Sequence, residues 1–210
     1  MPAGAKIGLF GGTFDPIHSA HLTVAREAVG AAGLEKVLFV PAAHPPHKSE
    51  TTGASYEDRF RMVELACGGE PGFVASRLEQ GEGRSYTVLT IEKLRRELGP
   101  DDEICFLIGA DAFAEIRSWK RWEEVVRAVR FIVVTRPGHR YDVPPGAVVH
   151  PLRTLALPVS SSVIRGKLGR GEIVPELPPA VMDYIRRRRL YGWKEKDGRE
   201  TQRDPSNIPV

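Results

Sequence analysis

His18 and His21 stand three residues apart, directly after the turn Gly11-Gly12-Thr13-Phe14-Asp15-Pro16. Residues at i and i+3 share a helix face, so both imidazoles are expected to point the same way from a first helical turn. That turn also offers backbone N–H groups and the positive end of the helix dipole. Such an end suits phosphate. Gly11 and Gly12 would let the backbone approach a ligand closely. Asp15-Pro16 reads as an N-cap followed by proline at the first helical position. The chemistry these residues suggest is the handling of nucleotide phosphates. A second serine-rich turn, Ser160-Ser161-Ser162, precedes a helical stretch carrying Arg165.

The elements around these residues form an alternating series. Lys6–Phe10 reads as a first strand, and Leu22, Ala25 and Val29 form one stripe of the helix after it. Strands are expected at 36–41, 73–78, 103–109, 131–135 and 147–150. Helices are expected at 87–98, 119–128, 160–168 and 178–190, with one opening at a capping box at Ser55 that turns Phe60, Val63 and Cys67 inward. Near-continuous apolar strands between helices argue a parallel sheet covered on both faces. The expectation is an α/β, doubly wound, mostly parallel sheet in one domain over residues 1–193, with a polar, aperiodic and mobile tail over 194–210. Ligands of such folds bind beyond the carboxyl ends of the strands.

Composition sets limits. The chain has 210 residues, 41% hydrophobic and 27% charged, with a net charge of +3. That is long enough for one sizeable core and too weakly basic to argue for nucleic acid. Cys67 and Cys105 sit among apolar neighbours and read as buried free thiols, which fits a reducing cytoplasm. No run reaches a membrane span, and the first residues lack a signal-peptide profile. His44, His47, His139 and His150 show no metal spacing. Arg186-Arg187-Arg188-Arg189 reads as a cationic last helical turn.

The segment from Gly11 to His21 resembles the signature of the nucleotidylyltransferase superfamily. Within it, Gly-Gly-Thr-Phe-Asp-Pro-Ile-His is similar to the bacterial nicotinate mononucleotide adenylyltransferases. Further segments agree in order: Val40-Pro41 through His47-Lys48, Ser85-Tyr86-Thr87, Gly109-Ala110-Asp111, Trp119-Lys120-Arg121-Trp122, Arg136-Pro137-Gly138 and Ser160 to Arg165. The match spans about residues 6–192. One departure stands out. The family reads His-x-Gly-His, and this chain has Ala20 where the glycine lets adenine lie close to the helix.

The resemblance implies a Rossmann-like nucleotidylyltransferase fold and transfer of the adenylyl group of ATP to nicotinate mononucleotide, with release of pyrophosphate. The attacking phosphate, with a second pKa of about 6, needs no general base. It needs alignment and charge neutralisation. His18, His21, Lys48 and Arg165 are the implied catalytic group. Gly11, Gly12, Thr13, Phe14, Ser161 and Ser162 join them on ATP. Thr87, Asp111, Trp119, Lys120 and Arg136, with Lys48, are implied for nicotinate mononucleotide, Trp119 by stacking on the pyridine ring. Mg²⁺ is expected to arrive with ATP rather than in a protein cage. Nucleic-acid and membrane partners are not expected, and homo-oligomerisation is open. Phosphopantetheine adenylyltransferase is the sister alternative, although that family usually has Thr at His18. A non-catalytic nucleotide sensor is the alternative of another class, and only Ala20 favours it. A class I aminoacyl-tRNA synthetase is disfavoured by the short chain.

Overall fold

A computed structural model describes residues 4–44, 53–81, 83–135, 141–154 and 159–194. Six parallel strands form one sheet: β1 (Lys6–Gly12), β2 (Lys36–Pro41), β3 (Phe73–Ala75), β4 (Glu103–Gly109), β5 (Arg130–Thr135) and β6 (Val148–Arg153). Their order is β3-β2-β1-β4-β5-β6. The chain therefore winds outward from β1 in one direction, returns, and winds outward from β4 in the other. The reversal lies between β1 and β4, which pair in parallel from Lys6↔Glu103 to Phe10↔Leu107. In such a sheet the crevice at that reversal receives the ligand.

Side chains alternate across a strand, and each central strand feeds two cores. Val37 and Phe39 of β2 enter one, and Leu38 and Val40 the other. Cys105 and Leu107 of β4 face the first core, and Ile104, Phe106 and Ile108 the second. The first core is closed by α1 (Ser19–Ala32), α2 (Tyr56–Cys67), α6 (Ser161–Gly169) and α7 (Pro179–Arg188). The second is closed by α3 (Thr87–Glu97), α4 (Ala110–Ala114) and α5 (Trp122–Ala128). Both cysteines are buried and free. Among the described residues, no helix is long and apolar enough to cross a membrane.

The strands at 36–41 and 103–109 fall where the apolar runs place them. Elsewhere local signals lose to tertiary ones. The strand at 73 stops at Ala75. The edge strand β6 continues through Pro151, which an edge tolerates because its missing N–H faces no partner strand. The helix expected from Trp119 begins at Trp122, because Arg121 takes a left-handed φ of 52° and Trp119 closes a short 3-10 turn onto Ile116. Helix α1 begins at Ser19 with His18 as its N-cap, so Pro16 is not its first residue and Asp15 does not cap it. The expected tail beyond Lys194, and the loop positions Lys48 and Arg136, lie outside the described residues.

Candidate active site

The histidine pair sits at the start of α1, beyond the carboxyl end of β1. The two rings lie 3.8 Å apart between centroids, tilted by 32°. His18 is buried at 4% exposure. Its backbone N–H donates to Nδ1 of His21 at 3.2 Å. An Nδ1 that accepts cannot carry the proton, so neutral His21 holds it on Nε2. Phe14 packs edge-on against His21 at 5.1 Å and fixes the ring from behind. The pair therefore offers oriented N–H donors without needing charge.

Burial keeps both rings neutral. It lowers the pKa of His18 from 6.5 to about 4, against a smaller raising effect from Glu176. It holds His21 well below its ordinary range, with His18 adding to the effect. The consequence for stability has a definite sign. A histidine whose folded pKa is depressed contributes fully above the unfolded value of 6.5, and the contribution is lost as pH falls from 6.5 towards 4. For His18 the loss is about 3 kcal/mol over that window. Urea unfolding of wild type at pH 7 and pH 4.5 should show this loss, and His18→Gln should remove its share of the slope. An unchanged slope in the variant would contradict it.

Two cavities adjoin at the sheet reversal. One, of about 410 Å³, is lined by His18, Ala20, His21, Asp111, Ser160 and Ser161 among others. The other, of about 270 Å³, is lined by Gly11, Gly12, Ser85, Tyr86, Thr87, Phe106, Trp119 and Lys120 among others. Phe10 and Gly109, at the ends of β1 and β4, belong to both walls. The first cavity has imidazoles, hydroxyls and one carboxylate. The second has aromatic walls, the N-terminus of α3, the carboxylate of Glu79 and a lysine whose Nζ lies 4.4 Å over the Tyr86 ring. Trp119 is half-buried, edge-on to Phe106 at 6.1 Å.

Beneath the glycine turn lies a buried polar knot. Asp15, 4% exposed, accepts from the N–H of Gly53 at 2.7 Å, the N–H of Ala54 at 3.1 Å and the hydroxyl of Tyr191 at 2.8 Å. Arg165 donates to the Asp15 carbonyl at 2.8 Å, and the same nitrogen is 3.7 Å from its carboxylate. The fully buried Arg59 donates to the Thr13 carbonyl at 2.7 Å. The loop after β2 is thus pinned at its far end by Asp15. At its near end, His44 N–H donates to Ser85 Oγ and Ser85 N–H donates back to the His44 carbonyl, both at 3.1 Å.

Comparison with known proteins agrees with this geometry. Residues 9–167 match the cytidylyltransferase-like family. The probable nicotinate-nucleotide adenylyltransferase of Solibacter usitatus is 56% identical over 186 residues, covering 89% of this chain and 99% of that one. That of Thermus thermophilus is 44% identical over 188 residues, covering 89% of this chain and 99% of that one. The chain belongs to the nicotinate-nucleotide adenylyltransferase family. In fold it is similar to the Plasmodium falciparum nicotinic acid mononucleotide adenylyltransferase complexed with NaAD, with a TM-score of 0.72 at 22% identity, covering 90% of this chain and 98% of that one.

The expected site residues divide unevenly in this family member. His18, His21 and Ser161 come together in the first cavity. Gly11, Gly12, Thr87, Trp119 and Lys120 come together in the second. Asp111, which the resemblance implied for nicotinate mononucleotide, lines the first cavity with His18, Ser160 and Ser161. Phe14 was expected on ATP, yet its ring is 2% exposed and lines neither cavity. The missing side chain of Gly12 makes room for that ring, since a Cβ there would lie 3.0 Å from it. Thr13 holds Arg59, and Ser162 pairs with Ser160 at 3.0 Å. Part of the helix N-terminus expected to serve phosphate is already used, because Ser19 N–H donates to the Glu176 carbonyl at 2.8 Å. Phe10, Tyr86 and Phe106 were missed as cavity walls. Phe10 precedes the glycines and Tyr86 sits within Ser-Tyr-Thr, so a signal for both was present.

Proposed function

We propose that this chain joins ATP to nicotinate mononucleotide through paired cavities, one per substrate, giving deamido-NAD and pyrophosphate. The observation that carries this reading is the meeting of the two cavities at Phe10 and Gly109. ATP occupies the histidine side and the pyridine nucleotide the Trp119 side, so the acceptor phosphate and the α-phosphorus meet at the shared wall. A phosphate oxygen attacks the α-phosphorus, and the bond to the β-phosphate breaks with its electron pair leaving on pyrophosphate. No proton need be removed from the nucleophile. His21 donates from Nε2 to the α-phosphate oxygens, where charge builds in the transition state. His18 and Ser161 donate alongside it. Arg165 presents its remaining N–H groups to the outer phosphates, and Lys48, outside the described residues, adds charge as the resemblance implies.

On the acceptor side, Trp119 stacks on the cationic pyridine ring. Lys120 and the N–H groups opening α3 at Thr87 face its carboxylate, since a helix N-terminus favours a negative group. Glu79 lines the same cavity with its Oε1 accepting from Thr90, so a preference for nicotinate over nicotinamide rests on Lys120 and Thr87 facing the ring carboxylate. Arg136, outside the described residues, is assigned to the acceptor by the resemblance. Asp111 serves the ribose of the ATP half, given its place beside Ala20. The histidine cavity offers one carboxylate, Asp111, and the hydroxyls of Ser160 and Ser161. That oxygen set fits a hydrated Mg²⁺ held chiefly by substrate phosphates, and the ion would neutralise charge on the leaving pyrophosphate.

The test is pyrophosphate release with Mg·ATP and, separately, nicotinate mononucleotide, nicotinamide mononucleotide and phosphopantetheine. Preference for the first acceptor is the expected result. Preference for phosphopantetheine would overturn the acceptor assignment, and ATP binding without release would turn the reading to a sensor. Ala20 bears on ATP alone. Its methyl lines the histidine cavity, and relief of overpacking is worth about 1 kcal/mol. Ala20→Gly should therefore lower the KM for ATP about fivefold and leave the acceptor KM unchanged. An unchanged ATP KM would show that the methyl does not crowd the base.

A further inference from the structure

Glu176 lies between α6 and α7, outside both cavity walls. Its carbonyl accepts the N–H of Ser19, which ties this segment to the first residue of α1. Its Oε1 accepts from Lys167 at 2.8 Å. Its Oε2 is buried without a partner. One residue from Ser19, Nδ1 of His18 is also buried without a hydrogen bond of its own. The His18 side chain faces the His21 backbone N–H in a capping-box arrangement, but that N–H donates to the His18 carbonyl at 3.0 Å. Buried polar atoms in native proteins are nearly always paired, so two orphans on neighbouring residues need a reason.

The two atoms are chemically complementary. A protonated imidazole nitrogen donates and a carboxylate oxygen only accepts. The charge of Glu176 favours protonated His18. The Glu176 carboxyl is held low chiefly by its hydrogen bond from Lys167, with His18 adding to it. Burial acts the other way on His18 and prevails in the free protein. A charge on His18 would in turn lower the pKa of His21, stacked on it. Lys167, on α6, draws the Glu176 carboxylate towards itself. His18 is therefore neutral before phosphate arrives, and a triphosphate on the cavity side of the ring would shift it towards the charged form.

We propose that Glu176 is a positioning residue for adenylyl transfer: once phosphates load the cavity face of His18, its Oε2 accepts the Nδ1–H of that ring. The bond fixes the ring's orientation, directs Nε2–H at the phosphates and supports a positive charge there as pyrophosphate leaves. A carboxylate behind a histidine does the same for histidines that bind metals. This role rests on the adenylyl-transfer reading.

The experiment follows the His18 imidazole by NMR against pH, free and with the Mg²⁺ complex of the α,β-methylene analogue of ATP. The analogue should raise the His18 pKa in wild type. In Glu176→Gln, which keeps the shape and the Ser19 bond, the rise should be smaller by about one unit. In Lys167→Met, which frees the carboxylate, it should be larger. Turnover at pH 7 should fall about tenfold in Glu176→Gln with the ATP KM nearly unchanged, and Glu176→Asp should recover part of it. A His18 titration that is the same in Glu176→Gln and wild type overturns the role, whatever the loss of turnover. A protein that binds no analogue overturns the adenylyl-transfer reading and this role with it. One that binds it while His18 ignores Glu176 overturns this role alone.

Discussion

His21→Ala should lower kcat by about 10²–10³ and leave the KM values for both substrates within a small factor. The reason is where this ring stands. Its Nδ1 is occupied by the His18 N–H, Phe14 braces one edge and His18 stacks on its face. One hydrogen, on Nε2, is left to do chemistry, and it is pre-aimed. A preorganised donor stabilises charge that grows only in the transition state, so its loss appears in kcat rather than in substrate binding. Steady-state kinetics in both substrates makes the measurement. A variant with near-normal kcat would remove His21 from the chemistry. A variant whose KM for ATP alone rose would make it a binding residue.

Asp15→Ala should cost about 3–5 kcal/mol of stability, the usual penalty for removing one partner of a buried ionic cluster. It strands the N–H groups of the exposed Gly53 and the buried Ala54, and the hydroxyl of the half-buried Tyr191. It also leaves the buried guanidinium of Arg59 without its counter-charge. A fall in Tm of about 10 °C or more is expected for a chain of this size, and calorimetry would show it. Tyr191→Phe removes one bond of the same set and should cost about 1 kcal/mol. A loss below 1 kcal/mol in Asp15→Ala would mean that the knot is not what holds the turn to the loop. Below the variant's Tm, the pinned end of that loop should be released, and turnover should fall with it.

Asp15 also shows where sequence reading reaches its limit. Read locally, Asp-Pro before an amphipathic run is an N-cap and first helical residue, and nothing nearby contradicts it. The partners that claim the carboxylate lie 38, 39 and 176 residues away. No periodicity announces a contact of that range. Asp111 is a second case. Its motif places it at the end of a buried strand, which is where β4 ends, but the side of the crevice it faces depends on the path of α4. The strands themselves were legible, because Lys36–Pro41 and Glu103–Gly109 are apolar on both faces and only a doubly covered parallel sheet accommodates that. The histidine pair was legible for the opposite reason. Its spacing is local, and a local rule is enough to put both rings on one side. Geometry alone does not say which cavity takes which substrate, and the proposed assignment follows the resemblance at His18, His21 and Trp119.

The central claim is that one crevice, divided at Phe10 and Gly109, holds the two halves of a dinucleotide. The most direct measurement is a crystal structure of the protein with deamido-NAD. The account predicts the adenylate half against His18, Ala20 and Asp111, the pyridine ring on the face of Trp119 and the pyrophosphate linkage at Phe10 and Gly109. A dinucleotide bound in the reverse sense, or with its pyridine ring away from Trp119, would contradict it.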